Sequence, residues 1–461
     1  MKQENITQTI ADYLARTRFE DLPREAVEST KTHILHTLGT IVAGSRAPGI
    51  QKVLNCVNDW GVKEESTVLV YGNKLPAASA ALVNATMGHS YHVDMKDDRR
   101  SYPTAVSAIP AALAVAEKLG TVSGKELITA VCLGIEMGIR VSLSIKPLQQ
   151  AFVQSLGPLA AATSCGKLLK LDVNGMYNTV VIACRRAAVP GITLGEAALN
   201  ETVGAGFPSQ SGVQSALLAA QGFPLTGDFF QGLRNFFQGL YKEDGDLDVL
   251  LSDLGRRYEI LGSGPKPYPC HRGNHPGITA VLNILQKTKL DPEQISEVTI
   301  YVEKRRMGTF EKNKQNRYRP PDLAEVQHAY PFLVAVALLK GKITLADVTE
   351  DAIRDERVLK FAERIKLVYD PKLELDQWPM VVKPHVVEVH MRDGRLYSER
   401  VEYPKGDPEN PFTPDEEEMY FRDLTGFSAK PLGTEKIEKV ISLIATMEDV
   451  QDAASVCRLL T

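Results

Sequence analysis

Apolar residues recur at helical spacing through roughly the first 260 residues. Ile6, Ile10 and Leu14 form one stripe. Ala26, Ile34, Leu35, Leu38, Ile41 and Val42 form the next, stopped by Gly44. Residues 68–71 (Val-Leu-Val-Tyr) interrupt this as a short extended piece. Ala-rich helices are then predicted over 77–87, 109–119, 123–141 and 159–169, with a further helix from Asp172 through Ala183. Helices this apolar on more than one face belong inside a large helical body. No repeat of fixed period interrupts them.

The pattern changes after Tyr258. Residues 298–302 and 365–369 are β-branched runs, and Asp393-Gly394 sits between two alternating stretches as a hairpin turn. Helices are predicted at 275–287, 323–340 and 345–364. The tail turns helical again at Thr413-Pro-Asp-Glu416, a capping box with Pro at the first helical position, and the last helix spans 434–447. The chain is therefore expected to be mainly α. A large all-helical domain comes from both chain ends (1–262, with 406–461 returning to it), and a smaller α+β lid domain (263–405) is inserted between. A cleft between two such bodies is a usual small-molecule site.

Composition narrows the function. A net charge of −4 argues against a polyanion-binding surface, and no Lys/Arg run exceeds three, so no nucleic acid partner is expected. No stretch reaches the roughly 18 apolar residues of a membrane span. The polar first residues contain no signal-peptide apolar region. The six Cys are scattered without CxxC spacing and read as reduced thiols, so a cytoplasmic setting is expected. No GxGxxG after a strand, GxxxxGK[ST] or GxSxG is present, which leaves nucleotide cofactors and α/β-hydrolase chemistry without support.

Two polar stretches carry the candidate chemistry. Residues 262–276 gather Lys266, Tyr268, Cys270, His271, Arg272 and His275, held out of regular structure by prolines and glycines before a helix begins. Residues 88–104 hold His89, His92, Asp94, Arg99, Arg100 and Tyr102 between two Ala-rich helices. His92 and Asp94 suit a general base and its orienter, and Arg99 or Arg100 a carboxylate clamp. Either stretch also reads as a solvated connector. Cys270, His271 and His275 have spacing compatible with zinc, but Gly273 and Pro276 spoil a regular ligand turn and no second ligand pair is evident, so no metal site is expected. His33 and His36, in an apolar helix, read as core groups.

Four pieces of the chain resemble the MmgE/PrpD family, which includes 2-methylcitrate dehydratase, cis-aconitate decarboxylase and iminodisuccinate epimerase. They are Asn84-Ala-x-x-x-His89 with Tyr102-Pro-Thr and the helix from Ile109; Ser211-Gly-Val-Gln-Ser-Ala through Gly222; Lys266-Pro-Tyr-Pro-Cys with His275; and Lys405-Gly-Asp-Pro-Glu-Asn-Pro411. The resemblance spans nearly the whole chain. It implies a helical domain built from both ends with an inserted lid, a homodimer, and cofactor- and metal-free chemistry on small di- or tricarboxylates.

Several positions depart from the family pattern. His92 stands where the first Asp of its Asp-rich loop is expected, and Tyr102 where a His precedes Pro. Phe152-Val153 replaces a Phe-His pair, Glu201 a Lys, and Phe332 a Tyr, while Lys266 is retained. A Lys-to-Glu reversal at a substrate-binding position disfavours a tricarboxylate, so 2-methylcitrate and cis-aconitate themselves are not expected substrates. The resulting expectation is a lyase, of dehydratase or decarboxylase type, that abstracts a proton next to a carboxylate. Lys266 and Arg272 would anchor carboxylate, aided by Tyr268. His92 or Tyr102 would move the proton with Asp94 orienting, and His271 or His275 would be a second acid. An epimerase with two proton-transfer groups, or a non-catalytic carboxylate-binding paralogue, are the alternatives.

Overall fold

A computed structural model describes residues 6–61, 63–100, 102–145, 153–187, 198–222, 237–242, 245–375 and 382–461. Its first half is built from α1 (Ile6–Arg16), α2 (Arg24–Gly44), α3 (Ile50–Asn58), α4 (Ala77–His89), α5 (Ala108–Leu119), α6 (Gly124–Leu143), α7 (Val153–Leu168), α8 (Val173–Arg185) and α9 (Ala198–Ala219). Local chemistry sets many of the ends. Ser123 Oγ accepts from the Glu126 amide while Glu126 accepts from the Ser123 amide, which starts α6. Asp172 caps α8 by accepting from the Gly175 amide at 2.8 Å. Helix α7 packs on α5, α6, α8 and α9, and α4 on α2, α5 and α9. The small side chains of these helices allow close approach in one core.

The expected extended piece at 68–71 is a turn. The strands beside it are β1 (Ser66–Thr67) and β2 (Lys74–Leu75), and Val70 adopts a left-handed φ of 70° to close the hairpin. In the second half, β6 (Ile295–Val302), β7 (Ile365–Tyr369), β8 (His385–Met391) and β9 (Leu396–Val401) form a sheet of order β7-β6-β8-β9. Only β6 and β7 pair in parallel. Helix His275–Lys287 lies across β8 and β9 and against helix Tyr330–Lys340. The helix expected over 323–340 is broken: Leu323–Val326 ends at Gln327, and Tyr330–Lys340 begins after Ala329. The gap holds His328, and the Gln327 carbonyl there accepts from the His271 amide at 2.9 Å. Residues 345–364 are two 3₁₀ turns and the helix Glu356–Ala362 rather than one helix.

The tail returns to the first half. Helices Pro414–Gly426 and Thr434–Ala445 pack on α2, and the Thr413–Glu416 capping box starts the former. Helix α2 is a hub. His36 faces Glu417 through Nδ1 at 3.0 Å and the Val93 carbonyl through Nε2 at 2.7 Å, while His33 Nε2 meets Ser263 Oγ at 2.7 Å. These two core histidines thus tie the tail and both polar stretches to one helix.

A three-stranded sheet completes the junction. Strand β3 (Lys96–Asp97) pairs with β4 (Tyr102–Pro103) on one side and β5 (Ser263–Gly264) on the other. Gly264 is required there: a Cβ would lie 2.0 Å from the Gly406 carbonyl oxygen, so the 405–410 loop could not approach.

Candidate active site

The β3–β5 pairing brings the two polar stretches together, and Lys266 joins them. Its ammonium donates to the His92 carbonyl at 2.9 Å and to Asp94 Oδ1 at 3.1 Å. Behind it, Tyr420 Oη donates to the Lys266 carbonyl at 2.9 Å, so helix Pro414–Gly426 holds the lysine's backbone. His92 adopts a left-handed φ of 53°, an uncommon conformation for a non-glycine residue and a mark of a constrained site. Its ring stacks on His89 with centroids 4.8 Å apart. His89 Nδ1 lies 3.3 Å from Asp94 Oδ2 but is not aligned as a hydrogen bond.

Arg272 organises the next layer. It donates through Nε to Asp98 Oδ2 at 2.7 Å, lies 3.3 Å from His275 Nδ1 and faces Asp407 at 3.6 Å. His275 Nε2 faces the Cys270 carbonyl at 3.4 Å. That assigns the proton to Nε2 and leaves Nδ1 to accept from Arg272. His271 Nδ1 accepts from the Gly273 amide at 3.2 Å, lies 3.3 Å from Arg306, and its ring lies 5.3 Å from that of His328. The two imidazoles of the zinc-like spacing thus serve different partners. Among the described residues no group of three or more His, Cys, Asp or Glu could hold a metal ion.

Exposure sorts these groups into two rows. Lys266, Arg272, His275, Asp94 and Asp98 are buried. His92, Lys96, His271 and His328 are partly exposed in front of them. Asp94 Oδ2 and Asp98 Oδ1 are buried without a hydrogen-bond partner among the described residues, as polar atoms at binding sites often are. Electrostatics follow from this crowding. Burial works against the Asp94 carboxylate, but Lys266 and His89 outweigh it and hold its pKa well below the usual range. Burial, then His89 and Lys266, push His92 well below the ordinary imidazole value. Burial and Arg306 do the same to His271, and burial and Arg272 to His275. All three rings are neutral at pH 7. Burial, with Lys266 adding repulsion, lowers Lys96 to about 8. Burial, a Glu409 hydrogen bond and Asp98 push Asp407 up to about 8 against Arg272.

Other predicted residues have different roles. Arg99 is not a free clamp: it donates to both oxygens of Asp97, to Glu259 Oε2 at 2.6 Å and to the Glu259 carbonyl. Arg100 caps the end of α6 through the Leu143 and Ile145 carbonyls. Tyr102 pairs with Asp97 in β4, so it leaves the strand on the face opposite Lys96. Its hydroxyl lies over Gly138 of α6, where a Cβ would be 2.8 Å away, and Tyr241 is the titratable group acting on it. Lys266 and its partners are not among its contacts. The Tyr268 ring lies tilted against His275 with centroids 5.0 Å apart and its hydroxyl shares a 3.2 Å hydrogen bond with Thr279, a packing role beside Arg272. Phe332 is fully buried; the hydroxyl of its helix belongs to Tyr330, 2.7 Å from His385 Nδ1. Phe152 and the side chains of Val153 and Glu201 lie outside the described residues. Lys96, Asp98, Arg306, His328 and Asp407 are part of the cluster and were missed. Lys96, Asp98 and Asp407 lie within stretches already singled out, whereas Arg306 has no local signal and His328 is revealed only by the helix break.

Family models of the MmgE/PrpD N-terminal domain and the MmgE/PrpD C-terminal domain match residues 8–246 and 268–445. The chain belongs to the MmgE/PrpD family. Its curated relatives include the cis-aconitate decarboxylase of Mus musculus, 23% identical over 478 residues covering 100% of this chain and 94% of that protein. The cis-aconitate decarboxylase of Aspergillus terreus (strain NIH 2624 / FGSC A1156) is 23% identical, with 97% and 95% covered. A cis-aconitate decarboxylase-like protein, oryM, of Aspergillus oryzae is 21% identical, with 99% and 97% covered. Both family domains contribute to the cluster: His92, Asp94 and Lys96 come from the N-terminal match, and Arg272, His275 and Arg306 from the C-terminal one. Among the described residues no helix is long and apolar enough to cross a membrane.

Proposed function

We propose that this MmgE/PrpD protein is a lyase of dehydratase or decarboxylase type that transfers a proton at a carbon next to a carboxylate in a small di- or tricarboxylate, releasing water or CO2. The observation that carries the reading is the meeting of the two polar stretches at Lys266, with His92 and Lys96 in front of it. An ammonium has three N–H donors. Two of those on Lys266 are used by His92 and Asp94, and the third is directed to a substrate oxygen. Positive charge beside a carboxylate stabilises the enediolate-like charge that develops when the adjacent carbon loses or gains a proton.

His92 is the proton carrier in this reading. It is neutral in the free protein because of burial, His89 and Lys266. A bound polycarboxylate adds negative charge beside it, raises its proton affinity and turns it into an effective base. The fixed left-handed backbone of His92, held by Lys266, keeps the ring in place. A homodimer free of cofactor and metal belongs to the same reading, as the family resemblance implies. The Mus musculus and Aspergillus terreus relatives are cis-aconitate decarboxylases; the departures at Val153, Glu201 and Phe332 support a different polycarboxylate here. The test is a panel of di- and tricarboxylates incubated with the protein in deuterated water and followed by NMR. Loss of water or CO2 from one of them supports the reading, and no turnover of any member contradicts it.

A further inference from the structure

Lys96 stands apart from Lys266, Arg272 and Arg99, which are all paired with carboxylates. Lys266 is bound to Asp94 and His92, Arg272 to Asp98, and Arg99 to Asp97 and Glu259. The Lys96 ammonium makes no hydrogen bond or ion pair among the described residues, although it is only partly exposed. It lies in β3 between Gly264 and Pro103, so neither strand neighbour offers it a polar side chain. Lys266, Asp98, Asp94 and Arg272 all act on it electrostatically, and it acts in turn on His271 and His275. Keeping an ammonium partly out of water beside two other cations costs free energy that Asp98 and Asp94 return only in part.

We propose that Lys96 is the specificity-determining cation of the site, receiving a second carboxylate of the substrate with its free N–H donors. The inference rests on the lyase reading and names the residue that reads the second carboxylate: the substrate's two carboxylates must be spaced to reach Lys266 and Lys96 together. A monocarboxylate fills the Lys266 position and leaves Lys96 unpaired. Because Lys96 titrates near pH 8, burial and Lys266 lowering it against Asp98 and Asp94, the preference for a second carboxylate is present at neutral pH and fades as Lys96 loses its proton.

The test is calorimetric binding of succinate, tricarballylate and monomethyl succinate to the full chain between pH 6.5 and 9.5, for wild type, Lys96→Met and Lys96→Arg. Wild type is expected to prefer a polycarboxylate over the monoester by about 10- to 100-fold at pH 7, the range of one charge-assisted contact, and to lose that preference above pH 8. Lys96→Met should bind all three weakly and alike at every pH. Lys96→Arg should keep the preference without its alkaline loss, because a guanidinium stays charged. Polycarboxylate binding by Lys96→Met as tight as by wild type would overturn the role of Lys96 while leaving the lyase reading intact. If wild type binds none of the three, the carboxylate site itself falls and this inference with it.

Discussion

Lys266 Nζ sits 3.1 Å from Asp94 Oδ1, across 172 residues of sequence, with both side chains buried. Together with the β3–β5 pairing and the Arg272–Asp98 contact, this pair closes the junction between the helical body and the segment that begins at β5. Removing one partner of a buried pair leaves the other charged and unpaired. Lys266→Ala is therefore expected to lower stability by about 3–5 kcal/mol and kcat/KM by about two to three decades. Denaturant midpoints and a double-mutant cycle with Asp94→Ala check this; additive effects would mean the pair is not coupled.

Arg99 is expected to behave differently. Its guanidinium is spent on Asp97 and Glu259. Arg99→Ala should cost about 1–3 kcal/mol of stability and leave KM for a turned-over carboxylate unchanged. A large rise in KM with no loss of stability would restore it as a substrate clamp.

Activity should be bell-shaped in pH. His92 must be neutral in the free protein, and its pKa lies well below 6.5, so the acid limb of kcat/KM falls below that value. Lys96 must be protonated, and it titrates at about 8, so the alkaline limb lies near pH 8. Lys96→Arg should remove the alkaline limb alone. An alkaline limb unchanged in that variant would assign it to another group.

Lys96 should also destabilise the free protein. Its folded pKa of about 8 is below its ordinary value, so the unfolded chain binds more protons between the two. The cost is full below pH 8 and disappears as pH rises towards the ordinary lysine value. Lys96→Met should therefore be more stable than wild type at pH 7, by about 2 kcal/mol after allowing for partial exposure, and the gap should shrink by pH 10. Urea midpoints at the two pH values measure it; a less stable variant would contradict the electrostatic picture.

The parts of this structure that were legible in the sequence are those set by local chemistry. The capping box at Thr413, the Asp393-Gly394 turn and the helix starting at His275 need only neighbouring residues, and the expected elements stand there. The two polar stretches were visible because their residue types are unusual for connectors. The roles inside them were not. Arg99 looks like a clamp until Glu259, 160 residues away, occupies it. Lys96 looks like a solvated lysine until the structure shows Lys266, Arg272 and Arg99 each paired with a carboxylate and this one not. The turn at 68–71 and the helix break at 327–329 depend on tertiary contacts, the latter on the His271 amide taking the Gln327 carbonyl.

The most direct test of the account follows the proton. Wild type and His92→Ala are incubated in deuterated water with the polycarboxylate that the panel identifies, and deuterium at the carbon next to the carboxylate is read by NMR. Wild type should incorporate solvent deuterium at that carbon. His92→Ala should still bind the compound, with a dissociation constant within about threefold, but lose turnover by about two decades or more and lose deuterium uptake with it. Retained uptake at near wild-type rate in His92→Ala would show that another group moves the proton and would contradict the account.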